Sequence, residues 1–257
     1  MTPAPHPFAD LGGYDRAGIR YLWSDARASQ DFAWPMDEAE ALAAQAAPAS
    51  LRSKLGLCIA LYEIVVARLR DLHDDPYPAL VVDSAWISLA DRRYLEFDDR
   101  DRAEWLGPVR GPLWCAFTWL TPALHEADDS PAEWESSFVY LTRLAHHLLP
   151  DAAHAALRAW LNGCIDRIVT HHPEPVMRPT EDLFGRWKEW RRGPYVTAAC
   201  FDLTQPYEPS LEHERLERLL RSVDVAANPL LKPAAALQAE GIPQPYQGLP
   251  PHDALKR

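Results

Sequence analysis

The sequence predicts a mainly α fold, an irregular multi-helix bundle of about eight to ten helices with a proline-rich C-terminal tail. Apolar residues recur at the spacing of a helix face through most of the chain, and caps and prolines punctuate those runs. Glycine is scarce, 11 in 257 residues, and no Asn-Gly or Asp-Gly step joins alternating runs, so hairpins lack their turn chemistry. No fixed-period repeat emerges. The chain reads as one domain over 1–257, with a possible internal boundary at 173–180 and an extended or flexible tail over 241–257.

Taken in order, a first helix is expected over Tyr14 to Ala28, with Ile19, Leu22 and Trp23 on one side. A second starts at Pro35 and stops at Pro48. The third, Ser50 to Leu72, carries only Glu63 as a charge between Lys54 and Arg68, so it should lie at the centre. Tyr77 to Asp91 is a fourth, although Leu80-Val81-Val82 also suits a strand. Gly107-Pro and Gly111-Pro mark a turn and the start of a helix that carries Leu113, Trp114, Phe117, Trp119 and Leu120 before Pro122. Ser130-Pro131-Ala132-Glu133 combines a cap, a first-position proline and a capping-box acid, opening a helix to Leu149. Asp151 is expected to cap the next, to about His171. Thr180 opens a helix to Arg191, Ser210 one to Ser222, and Pro233 to Glu240 is a short helical piece. Tyr195 to Leu203 is the one segment where β-propensity competes.

Thirty-seven acidic against 26 basic side chains give a net charge of −11, which repels a phosphate backbone and disfavours nucleic acid as a partner. From Asp71 to Glu104 ten carboxylates face four arginines, and from Gly111 to Thr142 five carboxylates face no Lys or Arg. Such acids complement helix dipoles or solvate loops, and they also suit docking of a basic protein. The residues singled out for that role are Asp98, Asp99, Asp101, Glu104, Trp105, Arg110, Asp128 and Asp129. The segment 184–195 reverses the sign, interleaving Arg186, Lys188, Arg191 and Arg192 with Trp187, Trp190 and Tyr195. That pattern serves phosphate or single-stranded nucleic acid, although Trp187 and Trp190 share a helical face and suit packing.

Chemical signatures are sparse. GxGxxG, GxxxxGK[ST], HExxH and GxSxG do not occur, and the four cysteines sit apart among apolar neighbours. Asp71-Leu-His-Asp74-Asp75 resembles an aspartate-rich diphosphate motif, but Pro76 ends the helix there and no second motif answers it. Glu63 is the acid that burial should desolvate, either paired with a Trp indole or an Arg or standing at a pocket. His147, with His146 and His154, stands beside Glu63 as a candidate buried polar or metal site. No cofactor and no metal are assigned. Ten tryptophans supply large buried area, with Trp105 beside Arg110 as a candidate anchor.

The expected function is that of a non-catalytic acidic helical protein. It would bind a basic protein partner, as a bacterial immunity or antitoxin-like factor does. The alternative is a helical-bundle enzyme, metal-dependent or acting on a small molecule, with its pocket around Glu63. The longest apolar run falls short of a membrane span, and no secretory leader can be read in the first residues, so a cytoplasmic location is expected.

Overall fold

The computed structural model describes residues 6–11, 18–28, 30–130, 132–176 and 187–256. Nine α-helices lie among them: α1 (Met36–Ala46), α2 (Leu51–Leu69), α3 (Tyr77–Ser88), α4 (Gly107–Glu126), α5 (Ala132–Leu148), α6 (Asp151–His171), α7 (Lys188–Arg191), α8 (Glu212–Ser222) and α9 (Ala234–Ala239). No strand occurs among the described residues, only two isolated bridges, Ala49 with Pro173 and Leu95 with Leu231.

The hydrophobic run of α2 makes it the central helix. Every residue of it except Leu51 is buried, α3, α4, α5 and α6 pack against it, and α1 packs on α5 and α6. Ser50 starts it, accepting the Ser53 N–H on its hydroxyl. An all-apolar helix would have sufficed for burial, so its charged residues must each find a partner. Arg68 finds one by donating to the carbonyls of Leu148 at 3.1 Å and Gly18 at 2.9 Å. At Gly56 the missing side chain lets the Phe201 ring in, since a Cβ there would stand 2.9 Å from it. Six of the ten tryptophans, Trp34, Trp86, Trp105, Trp134, Trp160 and Trp190, are buried. No helix among the described residues is long and apolar enough to cross a membrane.

Several sequence expectations need correction. Residues 18–28 form turns and bends rather than the end of a helix from Tyr14 to Ala28; the part of that helix before Gly18 falls mainly outside the described residues. The Asp25 carboxylate instead accepts the Gly107 N–H at the start of α4 and the Trp23 indole, work that requires an extended approach. The third helix tightens to a 3-10 turn at Arg70–Leu72, and α3 ends at Ser88 rather than Asp91. α4 begins at Gly107 and runs through Pro112 and Pro122 to Glu126. Pro112 has no N–H for the Pro108 carbonyl, and the Tyr21 hydroxyl donates to that carbonyl in its place. Asp151 is the first helical residue of α6, and Pro150 holds the cap position. The proposed helix from Thr180 lies partly outside the described residues, and Lys188–Arg191 is its helical remainder.

The segment with β-propensity forms a 3-10 turn, Ala198–Phe201, and no strand. Its backbone groups are satisfied by side chains: the Trp160 indole donates to the Phe201 carbonyl at 2.9 Å, and Arg167 donates to those of Cys200 and Asp202. With its carbonyls so engaged, it has no need of a neighbouring strand. Val196, Ala198, Cys200 and Phe201 join the same core as α2. The last residues lie against α8: Leu249 donates its N–H to Glu217 at 3.0 Å, and Tyr195 donates its hydroxyl to the Pro250 carbonyl.

Candidate functional site

Glu63 stands midway along α2 and is 3% exposed. Its carboxylate accepts the Trp86 indole N–H at 3.1 Å, the His6 backbone N–H at 2.7 Å and the His6 ring N–H at 2.8 Å. A cavity of about 290 Å³ opens over it. α2 supplies Val66 and Ala67, α3 supplies Ala79 and Val82, and α8 supplies Leu219, so the walls are apolar. The polar groups are Glu63, Asp83, His6 and His73, with Arg70, Asp74 and Asp75 also lining the cavity.

Asp83 carries the electrostatic character of this site. It is the one charge in α3, and its carboxylate has no hydrogen bond or ion pair among the described residues. Burial, with the negative field of Glu63 adding to it, pushes its pKa up to about 6, and His6 only partly opposes this. Burial alone would disfavour the His6 imidazolium, but the hydrogen bond and charge of Glu63, with the fields of Asp83 and Asp202, leave its pKa raised. His73 goes the other way, its pKa lowered by burial, and neither of its ring nitrogens has a hydrogen-bond partner. Asp75 is paired with Arg110 at 2.8 Å. The cavity therefore presents Asp83, backed by Glu63, with the His73 imidazole packed into its wall. A second cavity of about 400 Å³ adjoins it, sharing His6 and Leu219.

Of these groups, sequence reasoning reached Glu63 and the Asp74-Asp75 step but missed His6, His73 and Asp83. A signal for Asp83 existed: it is the lone acid in an apolar helix, the pattern that singled out Glu63. His147 does not join Glu63. Its ring donates to the Leu22 carbonyl at 2.8 Å and packs on Phe32, while His146 stacks on His154 with ring centroids 3.7 Å apart. Among the described residues no group of three or more His, Cys, Asp or Glu side chains is placed to hold a metal ion. The four cysteines are free and buried, and burial holds the Cys115 and Cys200 thiols up at about 12.

The acidic residues predicted to dock a partner separate into two sets. Asp98 pairs with Arg100 at 2.7 Å; Asp128 is buried against Arg92 and Arg192; Asp129 pairs with Lys188 and Arg92. Trp105 is 3% exposed, packed on Tyr77 and Phe117 with the Arg110 guanidinium over its ring, so it offers no anchor. Asp99, Asp101 and Glu104 remain exposed with Glu96, and none has an ion pair among the described residues. In the same stretch of chain, which also carries the exposed Arg102, Phe97 and Leu106 are 67% and 53% exposed.

Comparison of the chain with protein-family models, with curated proteins and with solved structures gave no match.

Proposed function

We propose that the protein binds a small organic cation, an amine or guanidine on an apolar skeleton, in the cavity over Glu63 and Asp83. The observation that carries this reading is the unpaired Asp83 carboxylate at an apolar-walled cavity, reinforced by the buried charge of Glu63. A few convergent polar groups in an apolar concavity are the usual form of a small-molecule site. A cation entering it gains Asp83 as a partner, while its skeleton meets Val66, Ala67, Val82 and Leu219. Asp83, with a pKa of about 6, also exchanges a proton near neutral pH, which general acid–base chemistry requires. Calorimetry with cyclohexylamine and cyclohexanol separates charge from shape. The amine is expected to bind about tenfold more tightly, or better, and Asp83→Asn to erase that preference. Equal affinity of the two compounds for the unaltered protein contradicts the reading.

A second reading, docking of a basic protein partner in the manner of an immunity or antitoxin-like factor, rests on the exposed Phe97 and Leu106 among unpaired carboxylates. An apolar contact ringed by charge of one sign suits a partner of the opposite sign. Replacing Asp99, Asp101 and Glu104 together by Lys is expected to abolish retention of a basic partner from host extract. Unchanged retention by the triple variant argues against this surface.

A further inference from the structure

A pocket of about 170 Å³ lies where the start of α2, the chain after α4, the start of α5 and α7 meet, and its charge opposes that of the rest of the molecule. Lys54, Lys188, Arg191 and Arg192 line it, with Asp128 and Glu174 as the acids. Arg192 is 1% exposed, yet none of its three guanidinium nitrogens has a hydrogen-bond partner among the described residues. Its nearest acids, Asp128 at 3.5 Å and Glu189 at 3.6 Å, stand in ion-pair range without hydrogen-bond geometry. Both are shared. Asp128 also serves Arg92 at 3.7 Å, and Glu189 serves the buried Arg52 at 3.2 Å.

The surrounding cations are no better balanced. Lys54, held over the Trp134 ring, gives its ammonium only to the Ala47 carbonyl at 3.2 Å, and Arg191 has no ion pair among the described residues. Among the described residues around the pocket seven cations (Arg52, Lys54, Arg92, Arg93, Lys188, Arg191, Arg192) meet five carboxylates (Asp91, Asp128, Asp129, Glu174, Glu189). A buried guanidinium with its donors unused is costly, and that cost falls when an acceptor arrives.

We infer that this pocket is an anion site whose ligand is a phosphate group, free or carried as the monoester of a small molecule. The cations come from two separate elements, α2 and α7, and so bring several independent donors, which suits the several oxygens of a phosphate better than the two of a carboxylate. Arg192 supplies an incompletely neutralised positive charge behind the wall, and Lys54 and Arg191 act as point charges at the pocket itself. A protonated phosphate oxygen can donate to Asp128 or Glu174 on the same wall.

The test is calorimetric titration with inorganic phosphate and with phenyl phosphate, at ionic strength held constant with sodium chloride. Saturable one-to-one binding with a Kd of about 1 mM or tighter is expected. Arg191→Gln and Lys54→Gln should each weaken it about tenfold, while Arg218→Gln, remote from the pocket, leaves it unchanged. Tighter binding of phenyl phosphate assigns the monoester; equal or weaker binding assigns the free ion. Arg191 is exposed, so its variant retains the fold and stays informative if Lys54→Gln does not. No saturable binding of either probe, or unaltered affinity in Arg191→Gln, overturns the inference.

Discussion

Glu63→Ala is expected to lower the unfolding free energy by about 3 kcal/mol in urea denaturation. The buried Trp86 indole loses its acceptor, and the His6 backbone and ring N–H groups lose theirs. A cavity is added to one already present. Part of the loss is offset, because removing the Glu63 charge relieves the field that raises the Asp83 pKa. Glu63→Gln keeps an acceptor for the indole and should cost about 1 kcal/mol, the difference reporting the value of the charged pairing with His6. A Glu63→Ala variant within about 0.5 kcal/mol of the unaltered protein would show that these hydrogen bonds contribute nothing.

Gly193→Ala should be as damaging, at about 3 kcal/mol or more, for a reason that lies in the backbone. Gly193 has φ of +91°, and a Cβ on it would stand 2.3 Å from the Ser50 Cβ. Ser50 cannot retreat. It caps α2, and its N–H is held by the His172 carbonyl at 2.7 Å. The Gly193 carbonyl in turn accepts from the buried Arg52 guanidinium. Gly241→Ala serves as the reference, since φ is +88° there but the nearest atom to an added Cβ is 4.0 Å away. It should cost only the conformational strain, about 1 kcal/mol. Thermal or urea midpoints of the two variants separate strain from collision, and equal losses would remove the collision from the account.

How much of this was legible in the sequence differs from element to element. The burial of α2 follows from its composition, because a helix with one charge over thirteen residues has no face to give to water. Glu63 stood out there, and the indole partner expected for it is present in Trp86. The cavity was not legible, since it needs His6, 57 residues away, and Asp83 on a neighbouring helix. Prolines in α4 misled because both stand inside the helix: Pro112, expected at its start, leaves the Pro108 carbonyl to the Tyr21 hydroxyl, and Pro122, expected to end it, does not. Residues 195–203 misled in the same sense: indole and guanidinium donors satisfied the backbone that a strand would otherwise pair. Charge read along one dimension also overstated the acidic surface. Asp98 and Asp128 are spent on arginines of the same chain, and for Asp128 those are Arg92 and Arg192, distant in sequence.

The most direct test of a cation site over Asp83 is the pH dependence of cyclohexylamine affinity, measured by calorimetry between pH 8 and pH 5. The ammonium stays protonated throughout that range, whereas Asp83 gains its proton near pH 6 and His6 becomes more fully charged below neutrality. Both changes remove net negative charge from the cavity. Binding should therefore be tightest at the alkaline end and weaken as pH falls, most steeply below 6, where it approaches a tenfold loss per pH unit. Asp83→Asn should flatten most of that dependence. Affinity that stays level or tightens on acidification would contradict the account.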